Sequence, residues 1–132
     1  MSHKDFNTPS ILIQDIMARA LISVNTSTTA LQIAKMMEQG GIGAIIVKEN
    51  DAPKGIVTDR DFATKIAANS LSLDTTAEKI MSSPLITINH NEPISAGAER
   101  MTNKKIRKLA VTENGKIIGL ITSTDLVTQL AK

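Results

Sequence analysis

Two short segments carry residue types that could do chemistry: Thr58-Asp59-Arg60-Asp61 and, 64 positions later, Thr122-Ser123-Thr124-Asp125. Each follows a glycine and two apolar residues, Gly55-Ile56-Val57 and Gly119-Leu120-Ile121. A threonine followed three residues later by an acid at a helix start is a relative of the capping box. Its hydroxyl takes an orphan backbone N–H, and the acid sits well in the positive first turn. The same arrangement admits a second use. First-turn amides and the helix dipole form a ready site for phosphate, to which a threonine hydroxyl can add. An aspartate there must point away from the phosphate, and the vicinal hydroxyls of a ribose are its natural partner. Phosphate on threonine and ribose on aspartate together suggest a nucleotide, and the cap reading stands beside that one.

The elements that position these segments are written twice. Laid at a constant offset, residues 16–67 and 80–131 match without a gap, with 16 identical pairs in 52. Internal repetition of this kind decides the fold before any local reading does. The first copy opens with a short apolar turn, 11–17, and a strand at 21–24. A helix follows, with Ala30, Leu31, Ile33, Ala34 and Met37 on one stripe, and Gly40-Gly41 stops it. The run Ala44-Ile45-Ile46-Val47 predicts a buried strand, and 54–57 pairs back after a turn at Glu49-Asn50-Asp51. Thr58 opens a second helix to about residue 67. The second copy obeys the same grammar: a strand at 85–88, Pro93 at the start of a helix striped by Ile94, Ala98 and Met101, and a strand at 109–111. Asn114-Gly115 is a hairpin turn; a strand at 117–121 and a helix from Thr122 to Leu130 complete the copy. The expected fold is α/β (α+β), two β-α-β-β-α repeats packed as one pseudo-twofold unit. Repeat 1 is assigned to 11–68, a linker to 69–78, and repeat 2 to 79–132. Residues 1–10 read as a tail.

Composition narrows the function classes. Apolar residues are 42% and charged residues 21% of the 132-residue chain, as in ordinary globular proteins. Each copy is about fifty residues, too few to bury a sufficient core by itself, so the copies are expected to share one. No run approaches a membrane span of roughly 18 apolar residues, and no leader pattern is read at the start. Cysteine is absent, which removes disulfides and thiolate chemistry and fits the cytoplasm. Phe6 and Phe62 are the only aromatic residues, so a base-stacking platform for single-stranded nucleic acid could scarcely be built. A net charge of +2 does not favour nucleic acid either, although Lys104-Lys105-Ile106-Arg107-Lys108 is a dense positive run. Lys104 and Lys105 read as a solvated helix end. His90 reads as an exposed neighbour of a helix start, without the companions a metal site needs. No nucleophile set and no Gly-x4-Gly-Lys loop occurs. The chain is therefore read as a non-enzyme with no metal requirement.

With these residues on the page, Ile-Gly-Ala-Ile-Ile-Val (42–47), the hairpin and Gly-Ile-Val-Thr-Asp-Arg-Asp (55–61), repeated in register, resemble the CBS domain (cystathionine-β-synthase domain). The tandem pair resembles a stand-alone Bateman module over residues 11–132. That resemblance implies binding of an adenosine-containing regulatory ligand (AMP, ADP, ATP, S-adenosylmethionine or a dinucleotide) in clefts between the repeats, and disc-like homodimers. Carried over by position, it assigns Thr122 and Thr124 to phosphate and Asp125 to ribose. Met17, Leu21, Ile22 and Ile42 line the base pocket, with backbone near Ile22 and Gly43, and Arg107 and Lys108 supply cations. The mirror cleft takes Thr58, Arg60 and Asp61, with Met81, Ile86 and Ile106 around the base. Gly43 and Ala44 stand where Arg107 and Lys108 stand in the other copy, and Pro84 replaces Ala20. Both clefts are expected to be competent, with unequal affinity. The output would run through a regulated partner protein or an oligomer. The alternative is a protein-interaction scaffold whose Thr-x-x-Asp segments serve only as caps.

Overall fold

The computed structural model describes residues 10–132; the expected tail, with His3 and Phe6, falls outside them apart from Ser10. The backbone groups into two compact units. One holds Leu21–Leu85, and the other joins the segment ending at Ala20 to Ile86–Lys132. No helix among the described residues is long and apolar enough to cross a membrane.

In the Leu21–Leu85 unit, strand β1 (Ser23–Asn25) leads to helix α2 (Ala30–Gly40), then to the hairpin β2 (Ala44–Glu49) and β3 (Ala52–Thr58). Helix α1 (Ile13–Ile16) belongs to the other unit. The sheet order is β1-β2-β3, with β1 parallel to β2 and β2 antiparallel to β3. A buried strand must be apolar on both faces, and Ala44, Ile45, Ile46 and Val47 are all buried. Thr29 caps α2 by accepting the Gln32 N–H, while the Gln32 amide oxygen accepts the Thr29 N–H, a complete capping box. Ala30 and Ile33 face the core with Ile45, Val47, Val57, Ile66, Ala77 and Ile80. β1 begins two residues later than the expected strand, because Ile22 enters the ladder through its carbonyl, which accepts the Ile46 N–H.

The helix expected from Thr58 to about 67 forms differently. It is one α-turn, α3 (Asp59–Asp61), running into a π-helical segment, Phe62–Ala67. Hydrogen bonds from Ala68 N–H to the Ala63 carbonyl and from Leu71 N–H to the Ile66 carbonyl keep the wider register to its end. The linker region then closes on the unit, with Ala77 N–H donating to the Thr28 carbonyl at the start of α4 (Ala77–Ile80).

The other unit repeats the plan: α1 (Ile13–Ile16), β4 (Thr87–Asn89), α5 (Ile94–Lys104), β5 (Lys108–Glu113), β6 (Lys116–Thr122) and α6 (Ser123–Leu130). Its sheet runs β4-β5-β6, and Ile13, Ile88, Met101, Leu109, Val111 and Ile121 form its core. The lead-in segment of the first repeat thus serves the second repeat's sheet. Ala18 and Leu120 exchange backbone hydrogen bonds of 2.8 and 2.9 Å, as Ser82 and Ile56 do in the other unit at 2.8 and 3.1 Å.

This lead-in contact explains the glycine of each signature. A Cβ on Gly119 would lie 2.7 Å from the Ala18 carbonyl oxygen and 2.8 Å from Met17 Sδ; on Gly55 it would lie 2.7 Å from Ser82 O and 2.8 Å from Met81 Sδ. Backbone oxygens cannot yield as side-chain ends can, so Gly119→Ala is expected to lower unfolding free energy by roughly 1–3 kcal/mol in urea titrations. A departure from symmetry gives the opposite sign. Helix α2 ends on Gly41 at φ 62°, whereas α5 ends on Lys105 at φ 57°. Left-handed backbone costs a residue with a β-carbon about 1 kcal/mol, so Lys105→Gly is expected to raise stability by about that amount in the same assay.

Candidate functional site

The second signature lies within one unit, so its geometry can be built residue by residue. β6 carries the chain to Thr122, whose extended backbone (φ −120°, ψ 163°) turns it into α6. Thr122 Oγ1 accepts the Asp125 N–H at 3.2 Å, and Asp125 Oδ2 accepts the Thr122 N–H at 2.9 Å. The capping box is complete and takes one of the two carboxylate oxygens. Among the described residues Oδ1 has no hydrogen-bond partner, and Asp125 is half-buried. The Ser123 N–H is taken by the Arg107 carbonyl at 2.8 Å. Of the first three amides of α6, that of Thr124 has no hydrogen-bond partner among the described residues.

Register brings the cations to the same corner. Lys108 is the cross-strand partner of Thr122 in the β5–β6 pairing, and Arg107 precedes it with an exposed side chain. Met17 lies against Gly119, three residues before Thr122. Six of the residues assigned from sequence to this site, Met17, Arg107, Lys108, Thr122, Thr124 and Asp125, therefore belong to one unit, around the end of β6. Leu21, Ile22, Ile42 and Gly43 belong to the other. Chemically, the corner offers an anionic acceptor oxygen, a helix-start amide, a threonine hydroxyl and a guanidinium. That set fits a ligand carrying both neighbouring hydroxyls and a phosphate or carboxylate.

The first signature, in the Leu21–Leu85 unit, has the same corner and different chemistry. The Asp59 N–H donates to the Gly43 carbonyl at 3.1 Å, matching Ser123 and Arg107. Asp61 is only 4% exposed. Its Oδ2 accepts the Thr58 N–H at 2.8 Å and the Thr58 hydroxyl at 3.3 Å. Its Oδ1 is paired with Lys65 Nζ at 3.0 Å and accepts the Ser82 hydroxyl at 3.4 Å. Lys65 Nζ also donates to the Ile80 carbonyl at 2.8 Å and the Met81 carbonyl at 3.3 Å, at the end of α4. Arg60 is exposed on α3, and Met81 packs on Gly55. Ile86 and Ile106 are half-buried against the core of the other unit.

Sequence reasoning passed over Lys65 and Ser82. The signal was present in the repeat itself: their counterparts at the constant offset are Gln129 and Ala18, neither of which can pair with a carboxylate in the same way. His90 also differs from expectation. It is half-buried, its Nδ1 bonded to the Gln14 side-chain oxygen, with Nε2 3.7 Å from Glu113. It joins the lead-in helix to the β5 end of the hairpin. No cluster of three or more His, Asp or Glu side chains suited to a metal ion occurs among the described residues. A groove of about 520 Å³ lies elsewhere, between α2 and β1, lined by Asn25, Gln32, Met36, Lys48 and Asp51 among others. It includes none of the signature residues. Its counterpart in the other unit carries the Arg100–Glu92 ion pair, at 3.2 Å, in place of Met36 and Thr28.

Comparison with known proteins agrees with the fold. The family model for the CBS domain matches residues 13–68 and 77–132. An uncharacterised protein of Methanopyrus kandleri is 35% identical over 121 residues, covering 89% of this chain and 62% of its own length. The chain spans between 19% and 39% of several other curated relatives. Among solved structures, an uncharacterised conserved protein of Pyrococcus horikoshii superposes with TM-score 0.86 at 27% identity, over 93% of this chain and 94% of that one. A CBS domain pair solved in complex with 5′-methylthioadenosine and S-adenosyl-L-methionine superposes with TM-score 0.82 at 26% identity, over 93% and 98%.

The capping geometry carries its own test. Thr122→Ala removes the acceptor for the Asp125 N–H and is expected to cost about 1 kcal/mol in equilibrium unfolding. A variant as stable as the parent would show that the corner is held by other contacts.

Proposed function

Because the chain belongs to the CBS-domain family, with two copies of the domain, we propose that it is a regulatory module that binds an adenosine-containing ligand at its second signature and catalyses no reaction. The observation that supports this most is the half-buried Asp125, one oxygen fixed to the turn and the other without a partner among the described residues. Ribose hydroxyls would donate to Oδ1. The Thr124 amide, the Thr122 and Thr124 hydroxyls and the Arg107 guanidinium would receive the phosphates or an amino-acid carboxylate, with Lys108 adding charge. Arginine suits this role because its fork binds an oxyanion at two points. The ligand complex of the related domain pair supports an adenosine moiety as the common element. Adenine nucleotides are the proposed regulatory ligand, with no metal in the site.

Regulation would follow from linkage. A ligand shifts an equilibrium only by its difference in affinity for the two states, so the signal is whichever arrangement it binds better. The partner is proposed to be a second copy of the chain, a regulated protein, or both. Val127 and Leu130 on α6, 63% and 82% exposed, support self-association.

Thermal melting followed by circular dichroism tests the proposal. AMP, ATP or S-adenosylmethionine at about a hundred times its dissociation constant is expected to stabilise by about 2.7 kcal/mol, a Tm rise of roughly 10 °C. Asp125→Ala should abolish most of that rise. Melting that is unchanged by all three at millimolar concentration would contradict ligand binding and leave the scaffold reading.

A further inference from the structure

We propose that Lys65 and Ser82 withdraw Asp61 from ligand binding, so that the first signature is a structural lock and the chain takes one nucleoside, at the second signature. This rests on the ligand reading above, but the lock itself does not.

The argument compares two carboxylates in equivalent places. Each gives Oδ2 to the threonine N–H at its strand-to-helix corner. They differ in Oδ1. In Asp61 it is held by an ammonium at 3.0 Å and faces a serine hydroxyl at 3.4 Å, inside a site with 4% exposure. A ribose would have to displace both donors from a buried carboxylate, which is unfavourable even though the Lys65 side chain is 35% exposed. Lys65 cannot simply swing away, because the same ammonium holds the carbonyls of Ile80, the last residue of α4, and of Met81 after it. Those carbonyls precede the segment that pairs with Ile56 and packs on Gly55. The lock thus ties together the signature turn, the π-helical segment that places Lys65, and the end of α4.

The equivalent positions in the second repeat are Gln129 and Ala18, which leave Asp125 Oδ1 without such partners. The difference at Oδ1 disfavours the first site.

Isothermal titration with AMP, and with S-adenosylmethionine, gives the count. The parent is expected to bind one equivalent per chain. The double variant Lys65→Gln/Ser82→Ala, which installs the second repeat's residues, should gain a second, and adding Asp61→Asn should remove the gained one. Two sites of equal affinity in the parent would overturn the proposal. Melting without ligand tests the lock independently. Asp61→Asn should lower Tm by about 5 °C or more and Asp125→Asn by clearly less. The drops for Asp61→Asn and Lys65→Gln should be less than additive when combined. Equal drops for the two aspartates would overturn the lock whether or not any ligand binds. Absence of AMP and S-adenosylmethionine binding in every variant would instead refute the proposed function, with the ligand-free comparison still deciding the lock.

Discussion

A carboxylate has two oxygens, and at each strand-to-helix corner of this protein one of them is committed in advance. The threonine that ends β3 or β6 turns its backbone N–H into the start of a helix, where no carbonyl can reach it. Asp61 and Asp125 supply the missing acceptor at 2.8 and 2.9 Å. An unmet buried N–H would cost more than the bond contributes, so this partner is close to obligatory. Whatever else the aspartate does must be done with the remaining oxygen. Structural capping and ligand recognition are therefore compatible uses of one side chain, and the surroundings of Oδ1 decide between them.

The corner is held in place from below by a contact that only glycine permits. The lead-in segments cross Gly55 and Gly119 so closely that a methyl group would meet a carbonyl oxygen at 2.7 Å. Close approach brings Met81 and Met17 beside the strands that carry the signatures. It also explains why each sheet is completed by the lead-in segment of the other repeat. In the Leu21–Leu85 unit, Lys65 adds a polar tie to the same junction; in the other unit that place is taken by Gln129. Duplication has kept the steric frame and let the charges diverge.

Much of this was legible in the chain. The apolar run 44–47, the stripes of the long helices and the Asn114-Gly115 turn carry strong local signals, and the 64-residue offset fixed their order twice. The two readings of Thr-x-x-Asp were also visible, and the capping geometry is present at both signatures. Three things were not legible from local pattern. The π-helical stretch 62–67 has the composition of an ordinary helix, because i→i+5 bonding leaves no mark on residue type. The partnership of Lys65 with the end of α4 spans fifteen residues and depends on a tertiary approach. His90 depends on Gln14, which lies 76 positions away. The substitution of Lys65 and Ser82 by Gln129 and Ala18 could have been read by setting the two copies against each other at positions outside the signature.

The most direct test of the central claim is a crystal structure of the protein grown with AMP. The ribose hydroxyls are expected within hydrogen-bonding distance of Asp125 Oδ1, with the Lys65–Asp61 pair intact. A ribose bound to Asp61 with Lys65 displaced, or AMP bound away from Asp125, would contradict the account.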